Sequence, residues 1–212
     1  MSKQTLKQVA YQEIKEKILN CEYEPNSFLN EDFLCEELGM SRTPVRDALS
    51  RLEQERLVSI LPKKGFFVSP VSQKEINMVF EGRLLLEPYF LLNYCADMPA
   101  DVISRMKDIS AQYHRAIESN EKKDYYRLDN EFHQCIVSQC TNIYLIRTYE
   151  DLQNQDRRLR IMTGSSIEER LLITIQEHKQ ILDCIIAGDL EGAAEAMRKH
   201  LGNSKSSTAR IM

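Results

Sequence analysis

The chain holds 212 residues, with a formal net charge of −4. That length allows one large or two modest domains. The slightly acidic total excludes a general polyanion binder, so any nucleic-acid contact must rest on local charge.

In chain order, the N-terminus Met1-Ser2-Lys3-Gln4-Thr5 lacks the apolar core of a signal segment. Cys21–Gly39 carries six acidic and no basic residues, whereas Met40–Gly65 carries six basic and three acidic ones. Positive potential is therefore expected only near Met40–Gly65, giving a small, salt-dependent footprint and weak non-specific binding. Asn30–Leu38 reads as a short amphipathic helix, closed by a Gly39-Met40 turn. A second helix follows, with Ser41 or Thr43 as its cap and Pro44 in the first turn, where a missing N–H is tolerated. Val45, Ala48, Leu49 and Leu52 fall at i, i+3, i+4 and i+7, one helical stripe. Arg42 and Arg46, four apart, project together from the opposite side of that helix start. Two guanidinium forks there suit phosphates and guanine edges. A helix, a glycine turn and a second helix led by arginines form a helix-turn-helix. Leu57–Leu61 and Phe66–Ser69 then read as strands of a hairpin whose tip, Pro62-Lys63-Lys64-Gly65, is basic. Residues 1–70 are thus expected to form a winged helix-turn-helix.

With Leu29-Asn30-Glu31, Leu38–Leu49, Arg56-Leu57-Val58 and Lys64-Gly65, this segment resembles the DNA-binding domain of GntR-type bacterial transcription regulators. The resemblance implies that Arg42 and Arg46 read bases, that Thr43 contacts the backbone, and that the wing-tip Gly65 approaches the minor groove. Some members of that family carry a phosphate-binding arginine where this chain has Asp32.

After Pro70 the pattern becomes helical. Ser72-Gln73-Lys74-Glu75 reads as a capping box. Helices are expected near Gln73–Cys95, Ala100–Ser119, Lys122–Gln139, Ile143–Met162, Ile167–Ala187 and Leu190–Leu201. Turn residues part them at Met98-Pro99, Ser119-Asn120, Thr141-Asn142, Gly164-Ser165 and Gly188-Asp189. Residues 71–204 are expected to form an all-α antiparallel bundle for effector binding and dimerisation, making the whole chain mostly α. The polar tail 205–212 is expected to fray. The most apolar helix contains Glu81, Arg83 and Glu87, so no membrane span is expected, and the setting is read as cytoplasmic. Six cysteines are scattered with no Cys-x-x-Cys pair, as fits small apolar residues kept reduced. Arg83, among apolar neighbours, needs a partner: Glu87 four residues on, or an anionic effector.

Three of the four histidines fall in this bundle at apolar-flanked positions. Asp129 and His133 share a helix face, and His178 and His200 lie on two further helices. One carboxylate and three imidazoles can fill most of a metal's coordination shell. The pattern alone favours core histidines that are merely hydrogen-bonded over a metal site. The runs Asp129–His133, Glu177–Leu182, Gly188-Asp189 through Ala193-Ala194, Met197 and His200-Leu201 resemble the ligand-binding domain called FCD, of the FadR subfamily of GntR regulators. In many such proteins an aspartate and three histidines at matching places hold a divalent metal, here zinc, with nickel, manganese or iron as other occupants. His114 lies outside that motif and reads as a surface residue.

The function expected is a homodimeric regulator, more a repressor than an activator. It would bind an inverted-repeat operator in double-stranded DNA and be modulated by a small carboxylate at the metal pocket. One alternative makes the metal itself the signal. Another, a metalloenzyme, lacks a general base beside the ligands, since Glu131 and Glu177, next to the motif, point about 100° away from their neighbours on a helix.

Overall fold

The computed structural model describes residues 4–119, 122–163 and 168–209. The expected breaks at Asn120 and at Gly164-Ser165, the expected helix start at Ile167, and both chain ends (residues 1–3 and 210–212) lie outside them. The chain divides into two compact units. One holds the chain up to Ser72 together with Arg157–Met162, and the other holds Gln73–Asp156 and the chain from Thr163 on.

The first unit begins with a helix the sequence reading did not anticipate, α1 (Leu6–Leu19). Thr5 and Gln8 form a capping box, in which Gln8 N donates to Thr5 Oγ1 (3.3 Å) and Thr5 N donates to Gln8 Oε1 (2.9 Å). Ala10, Ile14 and Ile18, four apart, then bury one face. Helix α2 (Glu31–Leu38) starts at Asn30, whose Oδ1 accepts from the Asp32 and Phe33 amides at 2.9 and 3.2 Å. It stops at Gly39, whose φ of +61° is a left-handed conformation that glycine adopts without a side-chain clash. Helix α3 (Arg42–Gln54) buries the expected stripe of Val45, Ala48, Leu49 and Leu52. Of the two expected caps, Ser41 holds the cap position without a side-chain bond, and Thr43 lies inside the helix.

Strands β1 (Phe28–Leu29), β2 (Val58–Leu61) and β3 (Gly65–Val68) form an antiparallel sheet in the order β1-β3-β2. The hairpin pairs Val58 with Val68 and Leu61 with Gly65. Leu29, Leu57, Phe66 and Val68 join α1–α3 in one core.

The second unit is a helical bundle of α4 (Gln73–Tyr94), α5 (Ala100–Glu118), α6 (Lys122–Val137), α7 (Ile143–Thr163, apart from its Arg157–Met162 stretch), α8 (Glu168–Ala187) and α9 (Leu190–Ala209). Its core is built around Phe90, Met106, Phe132, Tyr149, Ile181 and Met197. Helix α9 packs on α4 and α8, and α5 on α6 and α8. At Gly82 of α4 an added Cβ would lie 2.6 Å from Leu152 Cδ1, so glycine lets α7 come close there. The frayed tail expected at 205–212 is corrected for residues 205–209, where α9 runs on to Ala209 and Thr208 is buried, while 210–212 lie outside the described residues. Packing overrides weak local propensity, because Asn203 donates to Glu177 Oε1 (2.6 Å) and Ser204 Oγ accepts from Arg170 (2.7 Å). Among the described residues no helix is long and apolar enough to cross a membrane.

Candidate nucleic-acid interface and candidate metal centre

The start of α3 presents Arg42, Thr43 and Arg46 exposed to solvent, while Pro44 and Val45 turn into the core. Both arginines meet acids on α2. Arg42 donates from Nε and Nη2 to Asp32 Oδ1 at 2.9 and 2.6 Å, and Arg46 Nε lies 3.4 Å from Glu31 Oε2. Asp32, which stands where some members of that family carry a phosphate-binding arginine, thus faces Arg42. Beside them lies a cleft of about 340 Å³ whose lining includes Phe28, Asp32, Arg42, Arg46 and Gly65. Lys63 and Lys64 are exposed at the wing tip, and Lys63 adopts a left-handed φ of 63° in the turn. Gly65 has φ +97°, and a Cβ there would stand 2.9 Å from the Phe28 ring, so this position requires glycine.

Replacing Lys63 and Lys64 together with Ala is expected to flatten the slope of log affinity against log salt by up to about 2, with sequence preference little changed. An unaltered slope in anisotropy titrations would show that the wing does not touch DNA.

In the second unit α6, α8 and α9 bring Asp129, His133, His178 and His200 together, all buried, with one ligand atom from each within 4.8 Å of the others. His114 stands apart, exposed, 3.7 Å from Glu118. Two carboxylates that the sequence reading did not assign to the site orient the imidazoles. His133 Nδ1 meets Glu87 Oε2 at 2.5 Å, and His200 Nδ1 meets Glu177 Oε2 at 2.8 Å. An ionised carboxylate only accepts, so Nδ1 carries the proton in both rings and each Nε2 offers its lone pair. The two Nε2 atoms face each other at 3.2 Å. Two lone pairs at that distance call for a proton or a cation between them. The Phe132 ring stacks on His178 at 4.0 Å between centroids and fixes its plane, with Nε2 3.5 Å from Asp129 Oδ1. Donor types, burial and tautomers all fit a divalent cation.

Each orienting carboxylate is held by an arginine. Arg83 donates from Nε to Glu87 Oε1 (2.6 Å) and from Nη1 to Asp156 Oδ2 (2.8 Å). Arg170 Nη1 donates to Glu177 Oε2 (2.8 Å). Burial alone would raise the Glu87 carboxyl, but Arg83 and then His133 outweigh it and hold it well below the usual carboxylate range. Burial also opposes ionisation of Glu177, which the bond to His200, with Asn203 and Arg170, lowers overall. Burial would lower Arg83, but Asp156 and Glu87 keep it firmly protonated. Burial pushes the His200 imidazole below its ordinary value, against the pull of Glu177. Of the two partners considered for Arg83, Glu87 is therefore present, joined by Asp156. The signal for Glu87 was its spacing from Arg83. Glu177 is next to His178 in the chain but bonds His200 on another helix, which no spacing within α8 signals. Glu131 is taken up at the surface by Arg127 Nη1 (2.5 Å).

Residues 78–203 match the FCD domain, and residues 6–68 match the family described as bacterial regulatory proteins, gntR family. The HTH-type transcriptional repressor GlaR of Escherichia coli (strain K12) is 29% identical over 201 residues, 90% of either chain. The E. coli structure McbR/YncC superimposes with a TM-score of 0.85 at 20% identity, over 98% of this chain and 99% of that one, a likeness of fold. The metal-free FCD domain of TM0439 gives a TM-score of 0.55 at 25% identity, over 68% of this chain and 97% of that one.

Proposed function

The chain belongs to the GntR family of bacterial regulatory proteins and carries an FCD domain, and we propose that it is a cytoplasmic repressor whose operator binding responds to a small carboxylate at a metal-containing pocket. It is a transcription regulator, not an enzyme. On this reading Arg42 and Arg46 contact base edges, and Thr43, Lys63, Lys64 and Gly65 contact backbone and groove. A single winged helix covers few base pairs, so two copies on an inverted repeat supply useful specificity. Met78, Leu85 and Tyr89, exposed along one face of α4, offer an apolar surface for the second copy.

The observation that carries the pocket reading is the inward convergence of Asp129, His133, His178 and His200, with two imidazoles locked by buried carboxylates. A divalent ion held there, with zinc favoured and nickel, manganese or iron as alternatives, supplies concentrated positive charge for a carboxylate. Arg83 acts in this scheme through Glu87, as its charge is shared between Glu87 and Asp156. Small 2-hydroxy, 2-keto or dicarboxylic acids are the effector class of choice, because four protein ligands leave few positions open. Calorimetric titration of metal-loaded and metal-stripped protein with such acids tests this. Equal affinity in both forms would overturn it.

His178→Ala should lower metal affinity beyond the about 10–100-fold lost when only an orienting partner is removed, and should also loosen the bundle. Metal analysis of the purified variant checks it, and wild-type metal content would remove His178 from the site.

A further inference from the structure

We propose that Asp32 is a positioning residue for base selection, holding the Arg42 guanidinium so that its end edge faces a guanine. The inference rests on the reading of Arg42 as a base contact and goes beyond it. A guanidinium is planar and has two edges that can each make paired bonds. The Nε–Nη2 edge of Arg42 is taken by Asp32 Oδ1, at 2.9 and 2.6 Å. The Nη1–Nη2 edge is not the one Asp32 engages, and that edge matches O6 and N7 of guanine.

The backbone behind Asp32 is capped. Asn30 caps α2 through the Asp32 amide itself, at 2.9 Å, so the carboxylate projects from the first turn of a fixed helix. The neighbouring acid does the same more loosely for the second arginine, with Glu31 Oε2 3.4 Å from Arg46 Nε. Consecutive acids on α2 thus back arginines one helical turn apart on α3. Folding does not explain the Asp32 pair. Its side chains are 69% and 70% exposed, and exposed ion pairs contribute little to stability. A free arginine would also swing to any phosphate. An arginine already paired on one edge loses less freedom on meeting a base and gains less from a phosphate. Asp32 accordingly trades non-specific attraction for selectivity, in line with the six acids and no bases of Cys21–Gly39.

The test starts with duplexes selected from a randomised library by the wild-type full chain. Affinities are then measured for the selected duplex, for versions with each guanine replaced, and for a scrambled duplex. Asp32→Ala is expected to cut the preference for one guanine about 10-fold, to strengthen scrambled-duplex binding a few-fold, and to steepen the salt slope by about 1. Asp32→Asn keeps an acceptor oxygen without the charge. It should retain most of the guanine preference while still strengthening scrambled binding. Melting curves should match wild type in both variants. Arg42→Ala must erase preference at that same guanine, and if it does not, the base-reading role of Arg42 itself fails. If Arg42→Ala erases the preference while both Asp32 variants leave it unchanged, Asp32 is only a surface charge and the inference is overturned.

Discussion

Glu87→Gln is expected to destabilise the helical unit by about 3–5 kcal/mol, the cost of removing one partner from a buried ion pair. Glu87 is 1% exposed and joins three groups, accepting from Arg83 Nε and His133 Nδ1 at 2.6 and 2.5 Å and from the Tyr149 hydroxyl at 3.4 Å. The amide has nearly the same shape, so no cavity is created and the loss is electrostatic. Its NH2 group cannot accept, and it would face a donor whichever way it turned. Among the described residues Arg83 would keep Asp156 as its anionic partner. The same change frees the His133 ring, so metal affinity should fall by about 10–100-fold. Chemical denaturation followed by a probe in the bundle measures the first effect, and titration against a competing chelator the second. A loss under about 1 kcal/mol would mean that the Arg83–Glu87–Asp156 group is solvated and not a buried network.

Arg42→Ala and Arg46→Ala should each weaken binding to a selected duplex by about 1–3 kcal/mol, which is the worth of one bidentate base contact. Both side chains are at least 65% exposed, so neither change disturbs the core of α3. The loss should concentrate at particular base pairs, unlike the uniform loss from the wing lysines. Anisotropy titrations at fixed salt measure it, and sedimentation checks that the oligomeric state is unchanged. Unchanged affinity in both variants would remove α3 from the role of reading helix.

Much of the first unit could be read from order in the chain, because its signals are local. The Asn30 cap, the Gly39 stop, the four-residue spacing of the arginines and the basic hairpin tip each act within a few residues. Helix α1 carries equally local signals, the Thr5–Gln8 box and the Ala10, Ile14, Ile18 stripe, and could have been found by the same rules. Strand β1 could not. Two residues show no alternation, and only pairing of Phe28 with Phe67 and Leu29 with Phe66 makes them a strand.

The sequence by itself determined which residue types are present for a metal, and that Asp129 and His133 share a face, because helix periodicity relates positions i and i+4. It also determined that Arg83 needs a charged partner, because an apolar helix face cannot leave a guanidinium unpaired. Only the tertiary structure decided what happens between helices. Glu177 orients His200 from 23 residues away, Glu87 orients His133 from 46, and Asp156 meets Arg83 across 73. No periodicity links such positions, and the pairs exist only once packing has buried each charge beside its complement. The same holds at the start of α3, where Asp32 meets Arg42 only because the Gly39 turn folds α2 back onto α3.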